Sequence, residues 1–149
     1  MTEPRLADLA ELIADGLLRL QPPDRTALEQ SVAAARRDVE AALANVADFP
    51  SWAEAMFYEA GLRSARTIVG AAGYRVAAER GHVTAIDAAD ALTSGAHHVI
   101  FIRLHRMRRT RHEFMYETRP DPSRQDLDRA ARDVESLIDV VAGAVEALE

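Results

Sequence analysis

The segment from Gly95 to His112 is rich in side chains that could bind an anion or transfer a proton. It holds five arginines, four histidines and no acidic residue, which leaves the rest of this −6 chain at a formal charge of −11. A guanidinium binds phosphate through two parallel donors, and an imidazole exchanges protons near neutral pH. Cleavage of RNA without a metal needs a base, an acid and a cation, so this composition predicts phosphodiester chemistry.

Helical spacing sorts these residues onto one surface. His105, Arg109, His112 and Tyr116 are four, three and four residues apart and therefore share a helix face. Arg108 precedes His112 by four residues and falls near the same face. The alternative interpretation is a solvated basic face that pairs with acidic residues of neighbouring helices. Both interpretations stay open at the level of the sequence.

Arg111 occupies a position where the periodicity predicts a core residue. In one interpretation its stem lies along apolar surface and its head pairs with an acid. In the other, a cleft holds Arg111 together with Arg106, Arg108 and His112 against an anion such as RNA phosphate. An unpaired guanidinium at an apolar position is costly, so a phosphate or a carboxylate is expected beside it. The apolar positions of the same stripe are Ile100, Leu104, Met107 and Phe114.

Structural roles are predicted for the remaining histidines and for the aromatic residues. His97 and His98 are adjacent and point in different directions on a helix, so no metal site is predicted there. His82 follows Gly81 at a predicted helix start and is interpreted as a cap or packing residue. No cofactor motif is present. Core or interface positions are predicted for Trp52, Phe57 and Tyr58.

Apolar residues recur at helical spacing, which predicts an all-α fold, an antiparallel up-and-down four-helix bundle with short additional helices. Caps are predicted at Asp24 and at Ser123 with Asp126, and a capping box at Ser51, while Gly73 is expected just after the third helix. No strand is predicted, and residues 74–81 are expected to form a connector. The predicted helices cover about Pro4–Leu20, Asp24–Ala47, Ser51–Ala72, His82–Gly95, His98–Tyr116 and Ser123–Glu149.

Composition limits the class of protein. The 149 residues fit a single domain, residues 1–149, and 48% are hydrophobic, enough for a core. The absence of cysteine excludes disulfides, thiolate metal sites and cysteine nucleophiles. No stretch is long and apolar enough for a membrane span, and the first ten residues lack the apolar region of a secretory signal. A cytoplasmic location without membrane association is therefore expected.

Seven motifs, in this order along the chain, resemble the HEPN superfamily, in particular small stand-alone members of actinobacterial type. The resemblance implies an up-and-down four-helix bundle that is usually dimeric. Many HEPN proteins are metal-independent endoribonucleases of toxin–antitoxin, phage-defence or CRISPR systems, whereas others pair with a minimal nucleotidyltransferase or bind without catalysis. The motifs are Glu11–Gly16, Gln21–Asp24, Ala33–Arg37, Glu59–Arg63, Gly73–Arg75, Gly81–His82 and Arg108–Tyr116.

The family's hallmark is an arginine, four to six further residues and then a histidine. Arg106 with His112 and Arg75 with His82 both match it, and the position on the penultimate long helix favours the first pair. Aligned on the actinobacterial branch, Arg111 takes the motif arginine, His112 the usual asparagine, and Tyr116 the histidine of active nucleases. The phenol has a pKa of about 10 and is a poor base at neutral pH. Two functions are therefore expected: a ribonuclease, or a non-catalytic module that binds RNA, a nucleotidyltransferase or an antitoxin.

The resemblance also implies a homodimer in which the arginine-rich helices face each other and form a composite cleft. Glu113 and Glu117 are the expected acids that offset repulsion between the arginines. The expected catalytic residues are Arg106, Arg111, His112 and Tyr116, and the expected ligand-binding residues are His105, Arg108 and Arg109.

Overall fold

The computed structural model describes residues 8–77, 81–116 and 120–149. These residues are mostly helical, which confirms the predicted all-α class, and no helix among them is both long and apolar enough to cross a membrane. The long helices are α2, α3, α5 and α6. The elements are α1 (Leu9–Ala14), β1 (Leu18–Leu20), α2 (Arg25–Asn45), α3 (Pro50–Ala71), β2 (Tyr74–Val76), α4 (Gly81–Leu92), α5 (His98–Tyr116) and α6 (Arg124–Glu146).

Helix α3 is the centre of the fold, because α2, α4, α5 and α6 all contact it. Small residues on its surface let the neighbouring helices approach closely. A Cβ atom on Gly61 would lie 2.6 Å from Cδ1 of Leu104, which is itself almost fully buried on α5. Tyr58 and Arg108 each lie about one helical turn from this contact. The close approach of α3 and α5 therefore brings both residues to one end of the interface.

Two aspartate–histidine hydrogen bonds fix α4 against α5. Oδ1 of Asp87 lies 2.8 Å from Nε2 of His105, and Oδ2 of Asp90 lies 2.6 Å from Nδ1 of His98. The aspartates are one turn apart and the histidines two turns apart, so each pair shares a helix face. Asp90 is buried, and a buried carboxylate needs such a partner. These contacts join the second half of α4 to the first half of α5 in an antiparallel arrangement, so the first turn of α4 lies toward the C-terminal half of α5.

Three of the predicted helix ends are confirmed. Oδ1 of Asp24 accepts a hydrogen bond from the Ala27 backbone N–H and caps α2. Ser123 and Asp126 form a reciprocal capping box at the start of α6. Gly73, just beyond α3, has a φ of +91°, the left-handed conformation that terminates helices.

The capping box predicted at Ser51 is wrong. Helix α3 begins one residue earlier, at Pro50, and its N-cap residue Phe49 makes no side-chain capping bond. Proline suits the first helical position because its φ is preset and no N–H is lost there. The Ser51 hydroxyl instead donates to Oδ1 of Asp121 at 2.9 Å, across the fold.

The single helix predicted over Pro4–Leu20 is also wrong in its second half. Helix α1 ends at Ala14, and Gly16 follows with a φ of +73°. The chain then forms β1, which pairs antiparallel with β2 inside the predicted connector, with Leu18 opposite Val76. The helix was predicted from apolar residues three or four positions apart, Leu6, Leu9, Ile13, Leu17 and Leu20. In the structure Leu18 is buried instead, while Ile13 and Leu20 are exposed. Residues 1–7 lie outside the described part of the chain.

Candidate anion-binding site

A cavity of about 640 Å³ opens between the C-terminal half of α5, the first turn of α4 and the first half of α3. Helix α5 contributes two guanidinium groups and an imidazole to it, and α4 contributes a second imidazole. We refer to this cavity as the α4–α5 pocket. Its lining residues are Tyr58, Gly81, His82, Val83, Arg108, Arg111, His112 and Met115.

The floor of the α4–α5 pocket is a hydrogen-bonded pair of side chains. The hydroxyl of Tyr58 lies 3.0 Å from Nδ1 of His82. Tyr58 is completely buried, whereas His82 is partly exposed and lines the cavity. Because Nδ1 is engaged by the phenol, Nε2 is the ring nitrogen of His82 that remains for a ligand.

Burial and nearby charge shift the pKa values of this pair in opposite directions. Burial raises the pKa of Tyr58 to about 12; Glu59 adds to the rise, and Arg108, Arg111 and Arg66 oppose it. Burial also lowers the pKa of His82, and Arg66, Arg111 and Arg108 lower it further against the opposing effect of Glu59. The neutral phenol and the neutral imidazole are therefore both favoured, in a region where arginines outnumber carboxylates among the described residues.

Arg111 lies at the edge of this region and already has a carboxylate partner. Its Nη2 is 3.1 Å from Oε1 of Glu59, and its guanidinium carbon is 5.9 Å from the centre of the Tyr58 ring. Both charged side chains are more than one third exposed, so the ion pair is a surface interaction of modest strength. Of the two partners expected for Arg111, the structure shows the carboxylate, in a position that a solvent-borne anion can also reach.

Arg108 differs from Arg111 in its hydrogen bonding. Its Nε is buried and has no hydrogen-bond partner among the described residues. A buried N–H without an acceptor costs free energy, more so when it belongs to a charged group. Because this atom has almost no exposed surface, an anion in the α4–α5 pocket would reach it only after the Arg108 side chain moves.

The other expected site residues are distributed away from the pocket. His105 is held by Asp87, and Arg109 is exposed and is not among the described pocket residues. Arg106 lines a separate groove between α3, α5 and α6. Tyr116 ends α5, and its side chain, like Glu117, lies outside the described part of the structure. Of the seven residues expected to form the site, Arg108, Arg111 and His112 thus lie together in the α4–α5 pocket.

The sequence did not predict that Tyr58 and His82 line the pocket or that Arg66 lies beside it. Tyr58 and His82 are 24 residues apart, and only the packing of α4 on α3 brings them together. A Cβ on Gly81 would lie 3.5 Å from Nη2 of Arg66, so this arginine reaches the start of α4. Two sequence signals included His82: the motif Gly81–His82 and the match of Arg75 and His82 to the HEPN hallmark.

The donor set of the pocket suits an anion. The described residues contain no cluster of three or more histidine and acidic side chains placed to hold a metal ion. Guanidinium and imidazole groups from α5 face the first turn of α4, where backbone N–H groups have no acceptor within the helix. Phosphate oxygens are the ligands that match such donors.

Comparisons of the chain with protein-family models, with curated proteins and with solved structures found no match. The resemblance to HEPN proteins therefore rests on the sequence motifs.

Proposed function

We propose that this protein is a HEPN-like module that binds RNA through the α4–α5 pocket. The observation that supports the proposal is the convergence of Arg108, Arg111 and His112 on one cavity at the start of α4. These are three of the seven residues that the sequence nominated for phosphate chemistry. The buried Nε of Arg108 lacks an acceptor among the described residues, which favours a bound anion over a purely structural role.

Charge distribution makes the pocket the point of contact with RNA. The chain carries a formal charge of −6, so its overall field repels a polyanion. Binding consequently depends on short-range contacts between guanidinium groups and phosphate. Each arginine that contacts a phosphate adds about one unit to the slope of log affinity against log salt concentration.

The test is a titration of a single-stranded RNA of about 12 nucleotides, with a 5′-phosphate and a 3′ fluorophore, followed by fluorescence anisotropy. We expect Arg108→Ala and Arg111→Ala each to weaken binding about tenfold and to reduce the salt slope by about one unit. Arg132→Ala removes the same charge from an exposed position on α6 and is the matched control. Equal affinities for all four proteins would reject the α4–α5 pocket as the RNA site.

The two histidines of the pocket favour metal-independent RNA cleavage as a second candidate function. His82 and His112 line the same cavity as Arg111. One imidazole would take the proton of the 2′-hydroxyl, the 2′-oxygen would attack phosphorus, and the other imidazole would protonate the departing 5′-oxygen. Arg111 would stabilise the charge on the phosphorane. The products would be a 2′,3′-cyclic phosphate and a 5′-hydroxyl.

Incubation of purified protein with total RNA in EDTA tests cleavage separately from binding. The cleavage candidate predicts fragments with cyclic phosphate ends, and their loss in His112→Ala. Intact RNA in the presence of a protein that binds it would leave the binding function alone.

We further propose that the protein is a homodimer in which the two α5 helices face each other. The resemblance to HEPN proteins and the exposure of His112, Glu113 and Met115 near the end of α5 support this arrangement. Arginines on both copies would repel, so the dimer should be sensitive to salt. Light scattering at micromolar concentration tests it, and a monomeric mass in both low and high salt would exclude it.

A further inference from the structure

We propose that the α4–α5 pocket recognises a terminal phosphate, a phosphomonoester dianion at the end of an RNA chain or on a mononucleotide. This inference rests on the proposed function in using the same pocket, and it specifies which phosphate of the ligand enters. It also assigns a ligand contact to His82, through Nε2.

The charge of the pocket matches a dianion better than a diester. Arg108 and Arg111 line the cavity together with two histidines, and no carboxylate is among its described lining residues. Glu59 lies beside the cavity and pairs with Arg111, but Arg66 adds a third guanidinium near the start of α4. A phosphomonoester carries nearly two negative charges at pH 7, whereas an internal phosphodiester carries one. Glu59 matches one of these three guanidinium groups, and a diester would leave one of the remaining two without a matching charge.

The donors converge from two sides of the cavity. On the α5 side, Arg108 and Arg111 line the cavity. On the α4 side, His82 presents Nε2, because Tyr58 holds Nδ1 at 3.0 Å. When Tyr58 donates its proton to Nδ1, the neutral imidazole carries its own proton on Nε2 and donates to the ligand. A terminal phosphate has three oxygens free to accept these bonds, whereas a diester has two.

The size and lining of the pocket suit a nucleotide. A volume of about 640 Å³ is in the range of sites for small ligands of nucleotide size. Met115, half exposed, and Val83 provide apolar surface where a nucleoside attached to the phosphate would lie.

The experiment compares ligands that differ only in the terminal phosphate. Two RNAs of about 12 nucleotides share one sequence and a 3′ fluorophore, and one has a 5′-phosphate where the other has a 5′-hydroxyl. AMP and adenosine form the second pair and are measured by isothermal titration calorimetry. We expect the phosphorylated member of each pair to bind at least about tenfold more tightly. The mononucleotide pair and the RNA pair show which source of terminal phosphate the pocket accepts.

His82→Gln tests the contact from α4, because it removes the imidazole while keeping a side chain that can form hydrogen bonds. We expect it to weaken binding of the 5′-phosphorylated RNA more than binding of the 5′-hydroxyl RNA, so that the ratio of the two affinities falls at least about threefold. His97→Gln, at a partly exposed histidine just before α5, is the matched control. Melting temperatures of both variants establish that the fold is intact.

The outcomes separate this inference from the proposed function. Equal affinity for the two RNAs, with AMP no better than adenosine, would overturn the inference and leave RNA binding in place. If AMP binds and neither RNA binds, the proposed RNA-binding function is wrong and the terminal-phosphate site is supported. If neither RNA nor AMP binds, both are wrong.

Discussion

The two sides of α5 carry arginines in different surroundings. On the side toward α6, Arg103 and Arg106 line a groove that also contains Arg129 and three acidic residues, so positive and negative groups are equal in number there. On the side toward α4, Arg108 and Arg111 line a cavity that has no carboxylate among its described lining residues. The acids of the α6 groove are Glu54, Asp126 and Asp133.

This contrast shows that residue type alone does not determine the role of an arginine in this helix. Arg103 forms a two-pronged interaction with Asp133, which also raises the pKa of the guanidinium, and the pair joins α5 to α6. Arg108 has a buried N–H with no acceptor among the described residues. The α6 side therefore has a structural contact, whereas the α4 side is the one that we propose for ligand binding. The two roles predict different responses to substitution.

The largest expected effect on stability is at the α6 side. Arg103 contacts both carboxylate oxygens of Asp133, at 2.6 and 2.9 Å, and the Asp133 side chain is only 12% exposed. Arg103→Ala would leave this carboxylate buried without its partner and should lower the free energy of unfolding by about 2–3 kcal/mol. Urea unfolding measures the change, and RNA affinity should stay within about twofold of wild type.

Arg124→Ala is the matched control for Arg103. Arg124 forms an exposed ion pair with Asp128 one turn along α6, so its loss should cost less than about 0.5 kcal/mol. An equally small loss in Arg103→Ala would contradict the structural assignment of the α6 side.

The next largest effect is on RNA affinity, which should depend on the α4 side of α5 and not on the α6 side. Arg111→Ala should weaken RNA binding about tenfold, or about 1.4 kcal/mol, while lowering stability by less than about 1 kcal/mol because its pair with Glu59 is half exposed. Arg106→Ala should leave RNA affinity within about twofold, since Arg106 lines the other groove. Anisotropy titrations of both variants compare the two sides directly. A larger loss of affinity in Arg106→Ala would show that RNA binds on the α6 side.

The sequence was sufficient to predict α5 in full, because its apolar spacing and its flanking residues agree. The predicted bounds, His98 and Tyr116, are those of the structure. Local signals likewise located the caps at Asp24 and Ser123. They failed at Leu18–Leu20, where the leucine spacing fitted a helix but pairing with β2, more than fifty residues away, determined the conformation.

The candidate site was only partly predictable for a related reason. Of the residues that the sequence nominated on α5, Arg108, Arg111 and His112 line the pocket, whereas His105 and Arg109 are not among its described lining residues. Helical spacing could not show that Asp87 on α4 engages His105, or that acids on α6 accompany Arg106. It also could not join Tyr58 to His82, because that contact depends on how α4 packs against α3. Contacts between helices, rather than positions along one helix, decide which polar residues remain available to a ligand.

A smaller change in RNA affinity is expected when Glu59, the carboxylate that would compete with the ligand for Arg111, loses its charge. Glu59 pairs with Arg111 at 3.1 Å, and a phosphate in the α4–α5 pocket would have to share or replace that contact. Glu59→Gln should therefore strengthen RNA binding about threefold, or about 0.7 kcal/mol. Glu135→Gln, at an exposed position on α6, makes the same change of charge and should have less effect. An equal increase in RNA affinity in both variants would indicate that the less negative overall charge strengthens binding and that Glu59 does not compete with the ligand at the pocket.

The smallest expected effect is the dependence of stability on the protonation of His82. Burial, with Arg66 the next cause, lowers the pKa of His82 in the folded protein below the ordinary value of 6.5. The unfolded chain therefore takes up the proton first as the pH falls. The contribution of this residue to stability is present above about pH 6.5 and is lost as the pH falls through the lower folded value.

Other groups titrate in the same range, so the contribution of His82 is the difference between wild type and His82→Gln. Free energies of unfolding measured at intervals from about pH 7.5 to about pH 5 should decline more steeply in wild type. Adding AMP should reduce the difference, because a dianion beside His82 would offset the arginines that disfavour the imidazolium. Parallel profiles for the two proteins would show that the α4 side carries no excess of positive charge at His82. The contrast between the two sides of α5 would then rest on Arg108 and Arg111 alone.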